Sequence, residues 1–223
     1  MNSRFFLQRH QEMARRLDEW FRALQAKHAD RMRCRRGCAQ CCYGLFDVSL
    51  PDAFRIAQAV SALSQNTRSE VLERARIIQE KILRDEPELC APFFLHSLSE
   101  ERIDRLVERI PDTRCPFLDI HDGCLVYDDR PFACRFEGAP MVDSQDGLFG
   151  DWCELNFREG LAPDVSADLR LDYYEIHAVE QEAAEHLSCY LLGDRRAETT
   201  VFLPSVPATF EDFWKFRIDG CSL

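Results

Sequence analysis

The sequence predicts a mainly α-helical protein, α with one small β-hairpin, built as a compact cysteine-rich core with flanking helices. Three observations predict it. Apolar residues recur at helical spacing along most of the 223 residues. Only residues 115–127 combine short apolar runs with a tight-turn dipeptide, Asp122-Gly123. Finally, most of the eleven cysteines fall in two tight groups. With 46% apolar residues, 16 of the 223 being phenylalanine, the chain can bury one substantial core, and a single domain over 1–223 is expected.

The elements follow in order. Phe6, Met13, Leu17, Trp20, Phe21 and Leu24 line one face of a long amphipathic helix from Phe5 to about Met32, so residues 1–33 read as an N-terminal helix. Leu45 to Leu50 is a short, partly alternating strand candidate. Pro51 and Asp52 then open a helix to about Leu63. Thr67 with Glu70 makes a capping box ahead of Val71, Leu72, Ala75, Ile78 and Ile82, giving a helical hairpin. Ser97 with Glu100 repeats that signature, and the helix after it ends at Pro111. The hairpin of 115–127 and a loop over 131–150 precede a long helix from Leu169 to Leu192, with Gly193 as its C-cap. A short helix around Phe210 to Phe216 closes a helical C-terminal extension, 165–223.

Charge and hydropathy exclude several classes. The 39 acidic against 28 basic side chains leave a net charge of −11, which repels phosphate backbones, so no nucleic-acid partner is expected. Met1 to Arg16 has no uninterrupted apolar stretch of the secretory kind, and no segment reaches the ~18 apolar residues of a membrane span. The expected location is therefore the cytoplasm, without membrane attachment, where thiols stay reduced and a disulfide framework is not formed.

The cysteines carry the chemistry. Cys34, Cys38, Cys41 and Cys42 lie within nine residues. On a helix the first three would share a stripe but spread over about 10 Å, too far for one zinc with bonds of ~2.3 Å. The segment must turn at Gly37, bind a larger object or feed two sites. Cys115, Cys124, Cys134 and, later, Cys153 supply a second group, and together the eight thiols suffice for one cluster with spare thiols or for two four-thiolate sites. Cys90, Cys189 and Cys221 stand alone and read as small buried apolar residues. His121 falls at the predicted turn, facing solvent, and Glu182 with His186 reads as a surface pair. Arg31, Arg33, Arg35 and Arg36 surround the first group while Arg130 and Arg135 flank Cys134. Such cations offset an anionic thiolate centre and lower thiol pKa values, so Arg130 and Arg135 are expected beside the cofactor. A basic patch in an acidic protein could also dock an acidic partner protein.

Cys34 to Cys42, Cys115-Pro116-Phe117-Leu118 and Cys124-Leu125-Val126-Tyr127-Asp128-Asp129-Arg130-Pro131-Phe132-Ala133-Cys134-Arg135 together resemble the YkgJ-like cysteine-cluster family, described as a zinc- or iron-chelating domain. The resemblance covers about 34–160, with Cys153 similar to the family's final cysteine, and extends more distantly to the cysteine-cluster region of bacterial flagellin lysine N-methylases. It implies a cysteine-ligated metal centre and carries over no catalytic residue. All-thiolate ligation favours an iron–sulfur cluster, of the [4Fe-4S] kind, over the alternative, zinc. The spacing Cys34-x3-Cys38-x2-Cys41 also occurs in radical S-adenosylmethionine enzymes, but the chain lacks the alternating strands and helices of their barrel. The expected function is a redox or sensing module; the alternatives are a structural zinc protein that displays a partner surface and a cluster-dependent transferase acting on a protein side chain.

Overall fold

A computed structural model describes residues 3–143, 147–149, 152–161, 163–193, 195 and 199–207. The expected helix over Phe210 to Phe216, and Cys221, lie outside the described residues. The chain is mainly helical, with two small sheets. The helices are α1 (Ser3–Lys27), α2 (Leu50–Ala62), α3 (Gln65–Asp85), α4 (Glu100–Arg109), α5 (Phe132–Phe136), α6 (Pro163–Asp168) and α7 (Tyr173–Leu192). The strands are β1 (Asp47–Ser49), β2 (Met141–Asp143), β3 (Gly147–Phe149), β4 (Arg170–Leu171) and β5 (Thr200–Phe202). No helix among the described residues is long and apolar enough to cross a membrane.

Of the stripe expected on α1, Phe6, Met13, Leu17 and Leu24 are buried while Trp20 and Phe21 are half-buried; the helix packs mainly against α7 and α5, with Leu24 in a separate cluster with Phe157, Val165 and Leu169. Ion pairs also join α1 to α7, Arg16 to Glu175 at 2.6 Å and Arg9 to Glu182. Exposed pairs of this kind contribute at most about 1 kcal/mol each, so packing dominates. The expected pairing of Glu182 with His186 does not form; Glu182 turns to Arg9, and the His186 ring stacks on Phe6 at 3.7 Å. Helix α2 is buried continuously from Leu50 to Ala57 and centres the main core with Val48, Phe117, Val126, Val201 and Leu203. Cys115, Cys124 and Cys134 pack against this same cluster.

Several helix boundaries differ from those the local signals predict. Helix α3 is capped by Ser64, whose hydroxyl accepts from the Thr67 N–H at 3.3 Å, so it starts before the predicted Thr67 box. Ser97 sits in a short 3-10 turn and Ser99 precedes α4. Leu169 to Leu171 does not begin α7, because Arg170 and Leu171 pair in parallel with β2; Asp172 then caps the helix through the Glu175 N–H at 2.9 Å. Gly193 is the left-handed C-cap expected of it.

The predicted hairpin over 115–127 tightens into a turn rather than two strands. A single antiparallel bridge joins Leu118 to Cys124. Beyond it the Asp119 carboxylate accepts the N–H groups of His121 and Gly123, at 2.7 and 2.8 Å, drawing the tip into a knot of side-chain bonds. The regular strands lie elsewhere: β1 pairs antiparallel with β5, and β2 pairs antiparallel with β3.

Candidate metal centre

Cys34 to Cys42 is not helical, and turns of the backbone bring Cys38, Cys41 and Cys42, though not Cys34, to one cavity. Gly37 adopts φ +87°, a conformation that a side chain disfavours. The Cys38 N–H donates to the Arg35 carbonyl and the Cys42 N–H to the Ala39 carbonyl, both at 2.9 Å. Directly after this knuckle, Tyr43 forms an antiparallel bridge with Arg114, and the Cys115 N–H donates to the Cys42 carbonyl at 2.9 Å. The two cysteine motifs are thereby stitched backbone to backbone. Cys124 returns across the Leu118 bridge, and α5 presents Cys134.

The result is one cavity of about 470 Å³ onto which Cys38, Cys41, Cys42, Cys115, Cys124 and Cys134 all open. Apolar side chains such as Ile56, Phe117 and Val126 line its floor, and Arg130 and Glu137 its wall. Cys41 is exposed, and the other five are half-buried. Cys34 and Cys153 lie to one side of this cavity, beside Gly138, whose φ is +92°. A Cβ at Gly138 would stand 3.0 Å from the Cys34 sulfur and 3.7 Å from the Cys153 Cβ, so glycine is what lets the backbone approach them.

A residue with no recognisable signal in the sequence orients Cys34. Asn156, fully buried, donates from Nδ2 to the Cys34 sulfur at 3.0 Å and to the Gly138 carbonyl at 2.6 Å, and accepts the Arg33 N–H at 2.7 Å. Its only trace in sequence is its position three residues after Cys153. Arg114 is a second such residue: its guanidinium donates to the Leu118 and Asp119 carbonyls at 3.3 and 2.6 Å and braces the turn.

The arginines divide. Arg130 lies over the Tyr127 ring at 3.8 Å and lines the cavity. Arg135, 1% exposed, is directed elsewhere: it pairs with Asp18 on α1 and donates to the carbonyls of Arg130 and Asp128, the latter at 2.7 Å. Arg135 thus serves as a buried strut between α5 and α1 and does not line the cavity. Arg36 lies over the Tyr127 ring from the other motif, at 5.2 Å.

Thiol acidity runs opposite to the expectation drawn from the arginines. Burial pushes Cys115 up to about 12. Burial, followed by the neighbouring thiols Cys115 and Cys41, lifts Cys134 well above the ordinary thiol range. Cys41 is raised chiefly by its hydrogen bond with Cys42, while burial raises Cys34 and Cys124. Arg130 and Arg36 act on Cys124 in the lowering direction but are outweighed by burial. Crowded thiols in an apolar wall cannot all become thiolates on their own, so they call for a cation to balance them.

The isolated cysteines differ from the buried apolar residues expected: Cys90 and Cys189 are exposed. His121 is exposed at the turn, as expected.

Thiols converging on one cavity define a cysteine-based metal-binding protein. The family model described as "CxxCxxCC: Putative zinc- or iron-chelating domain" matches residues 33–154, more than half of the chain, and the chain belongs to that family. Neither a curated protein nor a solved structure matches it.

Proposed function

We propose that four of the cavity thiols of Cys38, Cys41, Cys42, Cys115, Cys124 and Cys134 hold an iron–sulfur cluster of the [4Fe-4S] class, with the spare thiols and Cys34 and Cys153 alongside, and that the protein is a cytoplasmic redox or sensing module. One observation carries this reading. Several thiols open onto one cavity of about 470 Å³, room for a multi-atom cluster, whereas a single zinc with bonds of ~2.3 Å fits a much smaller cage. The donor set fits as well, being sulfur without a histidine among the lining residues.

When bound, such a cluster supplies one-electron transfer. The chain's own residues then have separate tasks. The apolar floor keeps water from the inner thiols, which limits oxidation. Arg130 and Arg36 supply positive charge near Cys124, and the Asn156 amide stabilises the thiolate of Cys34 through its hydrogen bond. The exposed Cys41 marks the side from which an electron-exchange protein or an oxidant reaches the centre.

Anaerobic purification with iron, sulfide and zinc analysis tests the proposal. A brown protein with acid-labile sulfide, reduced and reoxidised reversibly, is the expected result. Stoichiometric zinc without sulfide replaces it with the structural zinc reading.

A further inference from the structure

A second polar centre lies in the helical body, built without cysteine. His10 on α1, Asp52 in the first turn of α2 and Glu180 on α7 come from three different helices, yet each offers a donor atom within 4.8 Å of the other two. His10 is 0% and Asp52 1% exposed. Among the described residues, neither ring nitrogen of His10 nor Oδ1 of Asp52 has a hydrogen-bond partner. A buried imidazole and a buried carboxylate oxygen left in this way are costly in an apolar interior unless something else occupies them.

The geometry points to a divalent transition-metal site formed by His10, Asp52 and Glu180, separate from the cysteines. His10 Nε2 and Asp52 Oδ1 stand 3.5 Å apart, longer than the ~2.7–3.2 Å of a normal hydrogen bond. Two ligands of one ion with bonds of ~2.0–2.2 Å are separated by about this distance. The ligands are also held as ligands usually are: Asp52 Oδ2 accepts the Phe132 N–H at 2.8 Å, leaving Oδ1 free to coordinate, and the His10 ring is stacked on Phe132 at 4.2 Å.

Charge agrees. With an ion bound, the Asp52 and Glu180 carboxylates would carry two negative charges, which a dication balances. Arg55 and Arg135 also lie near this cluster. Those two arginines have carboxylates of their own, Asp129 for Arg55 at 3.4 Å and Asp18 for Arg135. One imidazole with two carboxylates suits manganese(II), iron(II) or zinc, and disfavours magnesium and calcium, whose sites are made of oxygen.

Manganese(II) separates this site from the thiols, because soft sulfur discriminates against it. Titration of the full-length protein, followed by loss of the free-ion paramagnetic resonance signal, is expected to show one tightly held manganese per chain. Asp52→Asn, Glu180→Gln and His10→Gln should each weaken that binding by more than about tenfold, while Cys90→Ser, at an exposed thiol outside the cavity, leaves it unchanged. Glu180→Gln is the decisive variant, since Glu180 is only half-buried and the change keeps its volume. Unbound manganese, equal affinity in wild type and Glu180→Gln, or loss on Cys90→Ser would each overturn the proposal. None of these outcomes depends on which metal the cysteines hold.

Discussion

Around α1, α2 and α7 the chain is held by apolar stripes along each helix, with Leu17, Leu50, Ile56 and Ala184 almost wholly buried. Around residues 34–42 and 113–126 the same chain has almost no regular structure, and its turns are pinned individually by Asp119, Arg114, Asn156 and two isolated bridges. The helical body therefore carries its stability in burial, which needs no ligand. The cysteine mouth directs several thiols at one space, so its order is expected to depend on what they bind. One chain would thus combine a region that folds by packing with a region that folds by coordination.

Removing the ligand is the strongest way to break this contrast. Stripping the metal, or replacing Cys41 by Ser, is expected to abolish stoichiometric metal and to cost several kcal/mol of overall stability, a fraction of the ~10–16 kcal/mol that a structural metal can contribute. Amide exchange in residues 34–43 and 113–126 should rise by orders of magnitude, while α1, α2 and α7 keep their protection. Uniform loss of protection in both regions would show that the two fold as one unit.

Phe117 sharpens the contrast, because it belongs to the mouth by sequence and to the body by packing. It is 1% exposed within the cluster of Val48, Leu50, Ile56 and Leu203. Phe117→Ala should cost about 3–5 kcal/mol in denaturant unfolding and should lower metal retention as well. A loss of stability with full metal retention would mean that the mouth does not depend on its floor.

What can be read in the sequence follows the same division. The stripe on α1, the opening of α2 at Pro51 and the cap at Gly193 are visible because burial on one helix face leaves a period in the sequence. The two cysteine groups are visible as composition, and the turn at Gly37 as one of three ways to reconcile their spacing. The hairpin is not what the sequence suggests, because Asp119 is an ordinary acid in sequence, yet its carboxylate takes the donors at the tip. Asn156 and the division between Arg130 and Arg135 depend on which long-range neighbour each side chain meets, and no local pattern encodes that. His10, Asp52 and Glu180 are hidden for the same reason, being single polar residues on three separate helices.

Gly138→Ala is a smaller perturbation confined to the mouth. Left-handed backbone costs a side-chain residue about 1–2 kcal/mol, and the new methyl would meet the Cys34 sulfur at 3.0 Å. The expected result is a modest fall in melting temperature and faster alkylation of Cys34, with the cavity thiols still protected by metal. Equal loss at Cys124 and Cys134 would show that Cys34 and Cys153 are part of the same coordination sphere as the cavity.

The smallest expected effect lies in the body and is a matter of pH. Asp168 at the end of α6 accepts from Lys27 at 2.6 Å and meets His28 Nε2 at 2.8 Å, tying α6 to the end of α1. The Lys27 bond first, and then His28, hold its carboxyl below the usual carboxylate range. A carboxyl whose pKa is lower in the folded than in the unfolded chain adds stability above the unfolded value, about 3.9, and that stability disappears as pH falls through the folded value. Asp168→Asn should therefore lower the urea midpoint slightly and by a constant amount near neutral pH, and the gap to wild type should close below about pH 4. The Trp20 indole, which donates to the Asp168 carbonyl at 3.1 Å, keeps its backbone partner in the variant, so the helix junction itself remains. A gap that instead widened toward acid would mean that the residue acts through packing, and a gap that followed metal content would mean that α6 belongs to the mouth and not to the body.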